Sequence, residues 1–209
     1  MVSGGLLSGL RASYDRVAAE YAAHVGGELA GKPADRRLLD GLAARVGGGL
    51  VGDIGCGPAH VAAHLAGRGA RVVGVDLSPG MLAQAPPGLP VVAGDLRALP
   101  LADGALAATV AFYSLIHLPP GTEVAAMAEI RRVVAPGGVL LAAVHVGTEV
   151  RHLDQWWGVP VSVDFRFFEV GELTGWLAAA GWTVLDVLER DAYPGVEVET
   201  RRVYVTAGR

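Results

Sequence analysis

Residues 51–60 read Val51-Gly52-Asp53-Ile54-Gly55-Cys56-Gly57-Pro58-Ala59-His60. An apolar strand followed by a glycine-rich turn and a helix is typical of a βα unit in a sheet that is covered on both faces. Glycines 55 and 57 allow a ligand to contact the backbone, and the amides of the first helical turn can bind a carboxylate or a phosphate. The dinucleotide fingerprint G-x-G-x-x-G needs a third glycine at position 60, which is His60, so a phosphate cradle is disfavoured.

Short apolar segments alternate with helix-length segments on both sides of this turn. Strands are predicted at 50–54, 71–75, 90–93, 106–112 and 139–145, and helices at 11–25, 34–46, 59–68 and 122–134, the last ended by Pro136-Gly137-Gly138. After a helix at 170–180, the β-rich segments 182–188 and 202–206 are joined by a link too short for a crossover helix, so we expect an antiparallel hairpin. The prediction is one α/β domain, residues 1–209: a Rossmann-like, doubly wound, seven-stranded and mostly parallel sheet with helices on both faces.

Three acidic residues follow three successive predicted strands. Asp53 lies at the end of the first strand, Asp76 ends the second about 20 residues after the turn, and Asp95 follows the third. In a doubly wound sheet these ends share the edge where ligands bind. At that edge a carboxylate can accept both hydroxyls of a ribose or an amino group of a base. The alternative is that these carboxylates cap helices and turns.

The chain resembles, over nearly its whole length, the class I S-adenosylmethionine-dependent methyltransferases, in particular the small-molecule family with a D-x-G-C-G-x-G turn. The resemblance rests on an ordered set of segments: 14–15 with 21, 53–57, 75–82, 94–96 with 99–100, 114–117, 129–138 and 179–182. It implies that S-adenosylmethionine is the cofactor.

The resemblance implies a role for each end of the cofactor site. Gly55 and Gly57 would border the methionine part, Asp53 would support its ammonium group directly or through water, and Ser114 would line the same end. The third small position of the turn is usually glycine in this family and is Ala59 here, so we expect slightly weaker cofactor binding.

At the adenosine end, the resemblance implies that Asp76 holds the ribose and that Leu77 and Met81 flank the adenine. Asp95 and the backbone of Leu96 would bind the amino edge of the base.

Two further segments are predicted to cover the site. Residues 1–48 form N-terminal helices from which Tyr14 and Tyr21 would cover the cofactor, as the resemblance implies. Residues 147–168 are a candidate cap over the acceptor site. Their aromatic residues favour an apolar or aromatic acceptor, and alternation in this segment predicts an added strand. The alternative is that this segment packs on the core or forms a dimer contact.

Five residues carry reactive side chains whose roles the sequence leaves open. His60 and His64 have i, i+4 spacing but lack a glutamate at position 61, so no metal is predicted. Cys56 is interpreted as a small apolar filler of the turn, with a nucleophile as the alternative. His117 is the best candidate for a general base, followed by His145; a substrate-orienting or structural histidine is the alternative.

Composition limits the partners. Seventeen Lys and Arg residues against 21 Asp and Glu residues give a net charge of −4, which disfavours nucleic acid. With one cysteine and no signal-peptide or membrane-spanning pattern, we predict a cytoplasmic protein, monomeric or homodimeric, that does not bind membranes.

The predicted function is methyl transfer from S-adenosylmethionine to a small molecule, releasing S-adenosylhomocysteine. The alternatives are an NAD-dependent oxidoreductase and a non-catalytic S-adenosylmethionine-binding protein.

Overall fold

The computed structural model describes residues 3–209, which form six α-helices, two short 3₁₀ helices and nine strands. The helices are α1 (Ser3–Val25), α2 (Pro33–Val46), α3 (His60–Gly67), α4 (Pro79–Leu82), α5 (Glu123–Val133) and α6 (Val170–Ala179). The strands are β1 (Leu50–Ile54), β2 (Arg71–Asp76), β3 (Val91–Ala93), β4 (Leu106–Phe112), β5 (Val134–Val146), β6 (Val150–Trp156), β7 (Val159–Arg166), β8 (Thr183–Arg190) and β9 (Arg201–Gly208). The 3₁₀ helices are Glu28–Gly31 and Leu115–His117.

Seven strands form one sheet in the order β3-β2-β1-β4-β5-β9-β8. The first five run parallel, and β9 pairs antiparallel with both β5 and β8. The predicted sheet and its C-terminal hairpin are therefore confirmed. Two apolar clusters cover opposite faces of this sheet, and their members include Ile54 and Leu140 in one and Val51 and Leu141 in the other. Alternate residues of a strand point to opposite faces, which explains this division.

The strand order brings the carboxyl ends of β1, β2 and β3 side by side. Ile54 is in register with Val75, and Asp76 is in register with Ala93. Chain segments leaving these strands therefore meet at one edge of the sheet, which is where ligands bind in this architecture.

The start of β5 corrects one prediction. Residues 136–138 were expected to end a helix, but α5 ends at Val133 and β5 already begins at Val134. The pairing with β4 shifts register between Leu106 and Ala108, which accommodates the extra residues as a bulge. Gly138 is needed there, since a Cβ would lie 2.6 Å from the Ala107 carbonyl oxygen.

Strands β6 and β7 form a separate antiparallel hairpin. The predicted added strand corresponds to β7, whereas β6 was not predicted because its residues are mostly exposed and lack apolar alternation. The hairpin packs on α1 through Val161 and Val163, which meet Val17. The buried Ser13 hydroxyl also accepts a hydrogen bond from the Ser162 amide at 3.0 Å. In the described chain, no helix is long and apolar enough to cross a bilayer.

Candidate functional site

The glycine-rich turn after β1 folds back on the end of β2. The amides of Gly55 and Cys56 both donate to the Val75 carbonyl, at 2.7 and 3.0 Å. Gly55 has a φ of +75°, and a Cβ there would lie 2.2 Å from the Ser114 Cβ, so only glycine fits. Ala59, the residue that replaces the usual glycine, is fully buried with a φ of +61°. The turn is therefore tightly constrained by its own backbone.

Asp76 joins this turn to the end of β2. One carboxylate oxygen accepts a hydrogen bond from the Gly57 amide at 2.8 Å, and the other accepts from the Ser78 amide at 2.8 Å. Burial raises the pKa of Asp76, against the lowering effect of these hydrogen bonds. Because a carboxylate has about four acceptor positions, two remain for ligand hydroxyls.

Asp95 has a different environment, because Arg97 already pairs with it. The guanidinium Nη2 lies 2.6 Å from Oδ2, and Nε lies 3.1 Å from both oxygens. Partial burial raises the pKa of Asp95, but the hydrogen bonds from Arg97 outweigh it and the pKa is lowered overall.

Asp53 points away from the cavity that the other two acids share. Its side chain is buried, and Oδ2 accepts a hydrogen bond from the Ala62 amide of α3 at 3.0 Å. Burial raises the pKa of Asp53 to about 7, against the lowering effects of His60 and the Ala62 amide. It lines an adjoining small cavity together with Gly55 and Gly57.

The cavity above the glycine-rich turn is named the turn cavity. Ten of the eleven predicted cofactor residues line it, all except Asp53: Tyr14, Tyr21, Gly55, Gly57, Asp76, Leu77, Met81, Asp95, Leu96 and Ser114. Sequence reasoning missed Leu10, Arg11, Arg97, Phe112 and Tyr113 among the other lining residues. Phe112 and Tyr113 had a usable signal, because they stand at the end of β4 directly before Ser114.

Helix α1 closes this cavity because Asp15 fixes it to α4. The Asp15 carboxylate accepts hydrogen bonds from the Ser78 hydroxyl at 2.6 Å and from the Gly80 amide at 2.8 Å. A Cβ at Gly80 would lie 2.9 Å from the Asp15 Cα, so glycine permits this close approach. Tyr14 and Tyr21 are thereby held over the turn.

A second opening, the aromatic cavity, lies beside the turn cavity and has a volume of about 440 Å³. Its wall is formed largely by rings from α1, the hairpin and the end of β4: Tyr14, Tyr21, Tyr113, Trp156, Trp157, Phe165 and Phe167. Tyr14, Tyr21 and Tyr113 line both cavities. Three tyrosines therefore form the shared wall between a cavity with two carboxylates and one that is mainly aromatic.

A hydrogen-bonded chain runs from the hairpin to this shared wall. His117 Nδ1 lies 3.0 Å from the Asp164 carbonyl oxygen, and Nε2 lies 2.6 Å from the Tyr14 hydroxyl. A carbonyl only accepts, so Nδ1 carries the proton and Nε2 accepts from Tyr14. Burial lowers the pKa of His117 to about 4, against the raising effect of Asp164, so the ring is neutral at pH 7.

The other reactive side chains of the turn region either pair with a carboxylate or are buried. His60 Nε2 lies 3.0 Å from a Glu28 oxygen, and His64 Nε2 lies 2.7 Å from an Asp40 oxygen. Cys56 is buried, and burial raises the pKa of its thiol. The protonated thiol is in keeping with the interpretation of Cys56 as a filler.

Comparisons with known proteins identify the fold and a related domain. Residues 51–138 match the family model described as a methyltransferase domain. The fold is that of the class I S-adenosylmethionine-dependent methyltransferases, and residues 51–138 are similar to a methyltransferase domain. Among individual relatives, a demethylmenaquinone methyltransferase of Beutenbergia cavernae is 40% identical over 111 residues, which are 52% of this chain and 45% of that protein. The chain therefore spans less than half the length of this relative.

Two solved structures share the fold at low sequence identity. The first is a 1,6-didemethyltoxoflavin-N1-methyltransferase of Burkholderia thailandensis, with 22% identity, a TM-score of 0.64, and coverage of 91% of this chain and 89% of that one. The second is a (4+2)-cyclase with 24% identity, a TM-score of 0.64, and coverage of 83% and 81%.

The turn cavity fits S-adenosylmethionine by the chemistry of its lining. Asp76 retains acceptor capacity for two ribose hydroxyls, and Leu77 and Met81 supply apolar surface for a base. A Cβ at Gly57 would meet only Tyr21 within 4 Å, at 3.8 Å, so the turn leaves space for a ligand beside its backbone.

Proposed function

We propose that this protein transfers a methyl group from S-adenosylmethionine to a small-molecule acceptor and releases S-adenosylhomocysteine. The observation that carries the proposal is the wall shared by the two cavities. Tyr14, Tyr21 and Tyr113 line both cavities, so a cofactor in the turn cavity and an acceptor in the aromatic cavity would lie next to each other. Alignment of a nucleophile with an electrophilic carbon at about 3 Å supplies much of the acceleration of such a displacement.

The chain's own residues would bind and orient the reactants. Asp76 would accept hydrogen bonds from the ribose hydroxyls, and Asp95, together with the Leu96 backbone, would contact the amino edge of the adenine. Gly55, Gly57 and Ser114 would border the amino-acid end. The cofactor supplies an electrophilic methyl group when it is bound.

Asp53 would act on the cofactor through the turn rather than by direct contact. It holds the Ala62 amide at the start of α3 and lies on the far side of Gly55 and Gly57. This placement supports a positioning role for Asp53, with any contact to the ammonium group made through water.

We further propose that residues 1–48 and 147–168 close the site, as α1 and the hairpin supply most of the aromatic wall. That wall supports an apolar or aromatic acceptor. The demethylmenaquinone and 1,6-didemethyltoxoflavin named for the relatives are in keeping with this class of molecule. The single cysteine, unpaired and buried, supports a cytoplasmic location.

The fold by itself is compatible with other activities, because a (4+2)-cyclase shares it. A non-catalytic cofactor-binding protein would keep the same turn and acids. An NAD-dependent oxidoreductase is disfavoured by His60 in place of the third glycine of the dinucleotide fingerprint.

Calorimetric titration with S-adenosylhomocysteine and with NAD tests the cofactor. We expect S-adenosylhomocysteine to bind and NAD not to bind; tight binding of NAD alone would overturn the proposal. Incubation with methyl-labelled S-adenosylmethionine and a mixed metabolite extract then tests catalysis, with Asp76→Ala as the matched control. Binding without any labelled product, across extracts rich in aromatic metabolites, would favour the non-catalytic alternative.

A further inference from the structure

His24, His117 and His145 line the two cavities, and the structure separates the roles of the two candidate bases, His117 and His145. Both ring nitrogens of His117 are engaged, by Tyr14 and by the Asp164 carbonyl. His117 lines the turn cavity and a surface groove, whereas His145 lines the aromatic cavity. Of the two candidate bases, His145 is therefore the one that an acceptor in the aromatic cavity would meet.

The His145 ring is fixed by stacking and by one hydrogen bond. It lies between Phe167, at a centroid distance of 5.1 Å, and Tyr113, at 4.9 Å. Its Nδ1 is 2.9 Å from the Thr200 hydroxyl, which is 3.5 Å from the Val198 carbonyl. The Thr200 hydroxyl can donate to Nδ1 in place of its long contact with the Val198 carbonyl, and an anionic ligand at Nε2 selects this tautomer, in which Nε2 carries the ring proton. Within residues 7–209, Nε2 has no hydrogen-bond partner.

The charges around His145 favour a negative group on the ligand. The described wall of the aromatic cavity carries three cations, Lys32, Arg151 and Arg202, against the carboxylates of Glu28 and Glu197. Burial and then the three cations lower the pKa of His145 to about 4, with Glu197 opposing them. Burial disfavours any charge here, whereas the cations that disfavour an imidazolium favour an oxyanion.

The three cations also differ in how far a neighbouring carboxylate already neutralises each of them. Lys32 pairs with Glu28 at 2.7 Å, and Arg202 with Glu197 at 3.1 Å, both with largely buried side chains. Arg151 lies over the Phe167 ring at 4.5 Å, and its pair with Glu149 is about half exposed. Exposed pairs are weak, so Arg151 is the cation most available to a ligand.

We propose that the aromatic cavity binds a flat aromatic acceptor through an acidic hydroxyl in its ionised form, with the Nε2–H of His145 donating to the oxyanion and Arg151 beside it. The inference rests on the proposed function, because it names the acceptor class of that site. The hydroxyl proton leaves to solvent, and the ring plane stacks among the aromatic side chains. An ionised oxygen already has the lone pair that a methyl acceptor needs, so the site requires no strong base.

The test uses 4-nitrophenol, whose phenolate absorbs at a different wavelength from the phenol. The probe is titrated into the full chain saturated with S-adenosylhomocysteine, at a series of pH values. We expect the pKa of the bound probe to lie about one unit below that of the free probe, which is a tenfold preference for the phenolate. The non-ionisable analogue 4-nitroanisole is expected to bind at least tenfold more weakly at pH 8.

Variants locate the effect at His145. His145→Phe keeps a stacking ring and is expected to abolish the pKa shift, whereas His145→Gln, which keeps an N–H donor near Nε2, is expected to retain most of it. Arg151→Met is expected to reduce the shift by about half. His152→Asn is the control, because this histidine is next to Arg151 on the hairpin, pairs with Asp164 and is outside the cavity lining; it should leave the shift unchanged. Binding of S-adenosylhomocysteine to each variant verifies its fold.

The outcomes separate this inference from the proposed function. If S-adenosylhomocysteine binds while the probe shows no shift, no binding, or the same shift in His145→Phe, the inference is wrong and the cofactor assignment stands. If S-adenosylhomocysteine itself does not bind to the unchanged chain, the proposed function fails first, and the inference fails with it.

Discussion

The turn cavity and the aromatic cavity touch each other but are built in different ways. The floor of the turn cavity consists of backbone and short side chains at the ends of β1, β2 and β4, where glycines and the Asp76 carboxylate set its shape. The aromatic cavity is formed by large side chains from elements far apart in the sequence, such as Tyr21, Trp156 and Thr200. The first is therefore sensitive to single backbone atoms, and the second tolerates changes at its rim.

The largest effect is expected from Gly55→Ala, because the added Cβ would collide with Ser114 at a positive φ. We expect the free energy of unfolding to fall by about 3 kcal/mol or more, measured by urea denaturation. Gly121→Ala is the control, with a φ of +84° and open space around the new Cβ, and it should cost about 1 kcal/mol. Equal losses in the two variants would show that the contact with Ser114 is unimportant.

Asp53→Asn tests the buried carboxyl beneath the turn. The pKa of Asp53 is about 7 in the folded chain and near 4 when unfolded, so the folded chain binds a proton that the unfolded chain lacks between these values. The contribution of this carboxyl to stability is therefore full below pH 4 and is lost as the pH rises to 7.

We accordingly expect Asp53→Asn to be more stable than the unchanged chain at pH 8 by roughly 2–4 kcal/mol, and the difference to vanish near pH 4. His117 and His145, with pKa values of about 4, have the opposite effect: their contribution to the stability of the folded chain is lost as the pH falls below 6.5. Comparing the two proteins at each pH in urea cancels these histidine contributions. A difference that does not change with pH would contradict the raised pKa of Asp53.

Asp76→Ala should weaken the binding of S-adenosylhomocysteine by about 1.5–3 kcal/mol through lost charge-assisted hydrogen bonds, as measured by calorimetry. Asp95→Ala should cost less than about tenfold in Kd, because Arg97 already occupies the Asp95 carboxylate. Equal losses of affinity in the two variants would mean that pairing with Arg97 does not limit the contact between Asp95 and the cofactor. An unchanged affinity in Asp76→Ala would mean that the ribose binds elsewhere.

The smallest effect is expected at the rim of the aromatic cavity. Trp157 is 40% exposed and stacks on His24 at a centroid distance of 4.1 Å. Trp157→Ala should lower the free energy of unfolding by less than about 1 kcal/mol and leave the Kd of S-adenosylhomocysteine within about twofold. Binding of 4-nitrophenol should weaken several-fold. A large loss of cofactor affinity would show that the two cavities are not independent.

The difference between the cavities also explains which parts of the site could be predicted. Gly55, Asp76 and Ser114 follow individual strands, and strand order alone places them at one edge. The direction of a side chain is another matter: Asp53 occupies a predicted position, yet it turns toward the Ala62 amide. A carboxylate at the end of a strand has several backbone donors within reach, and the sequence does not say which one it meets.

The hairpin is the second place where the sequence was insufficient. The alternation in β7 was visible, but β6 presents mostly exposed polar residues and gives no periodic signal. His117 was recognised as a candidate base, whereas its pairing with Tyr14 and the Asp164 carbonyl depends on where the hairpin docks. Contacts across 103 and 47 residues are set by tertiary packing, which short-range patterns do not encode.

The amino-acid sequence alone determined the alternating α/β architecture, the antiparallel end of the sheet and the edge where the turn cavity opens, because apolar periodicity and glycine conformation are local properties of the chain. Only the tertiary structure decided that three tyrosines form the wall between two cavities, that Arg97 already pairs with Asp95, and that His145 rather than His117 lines the aromatic cavity. These features depend on the docking of α1, the hairpin and the C-terminal strands, whose contacts join residues distant in the sequence.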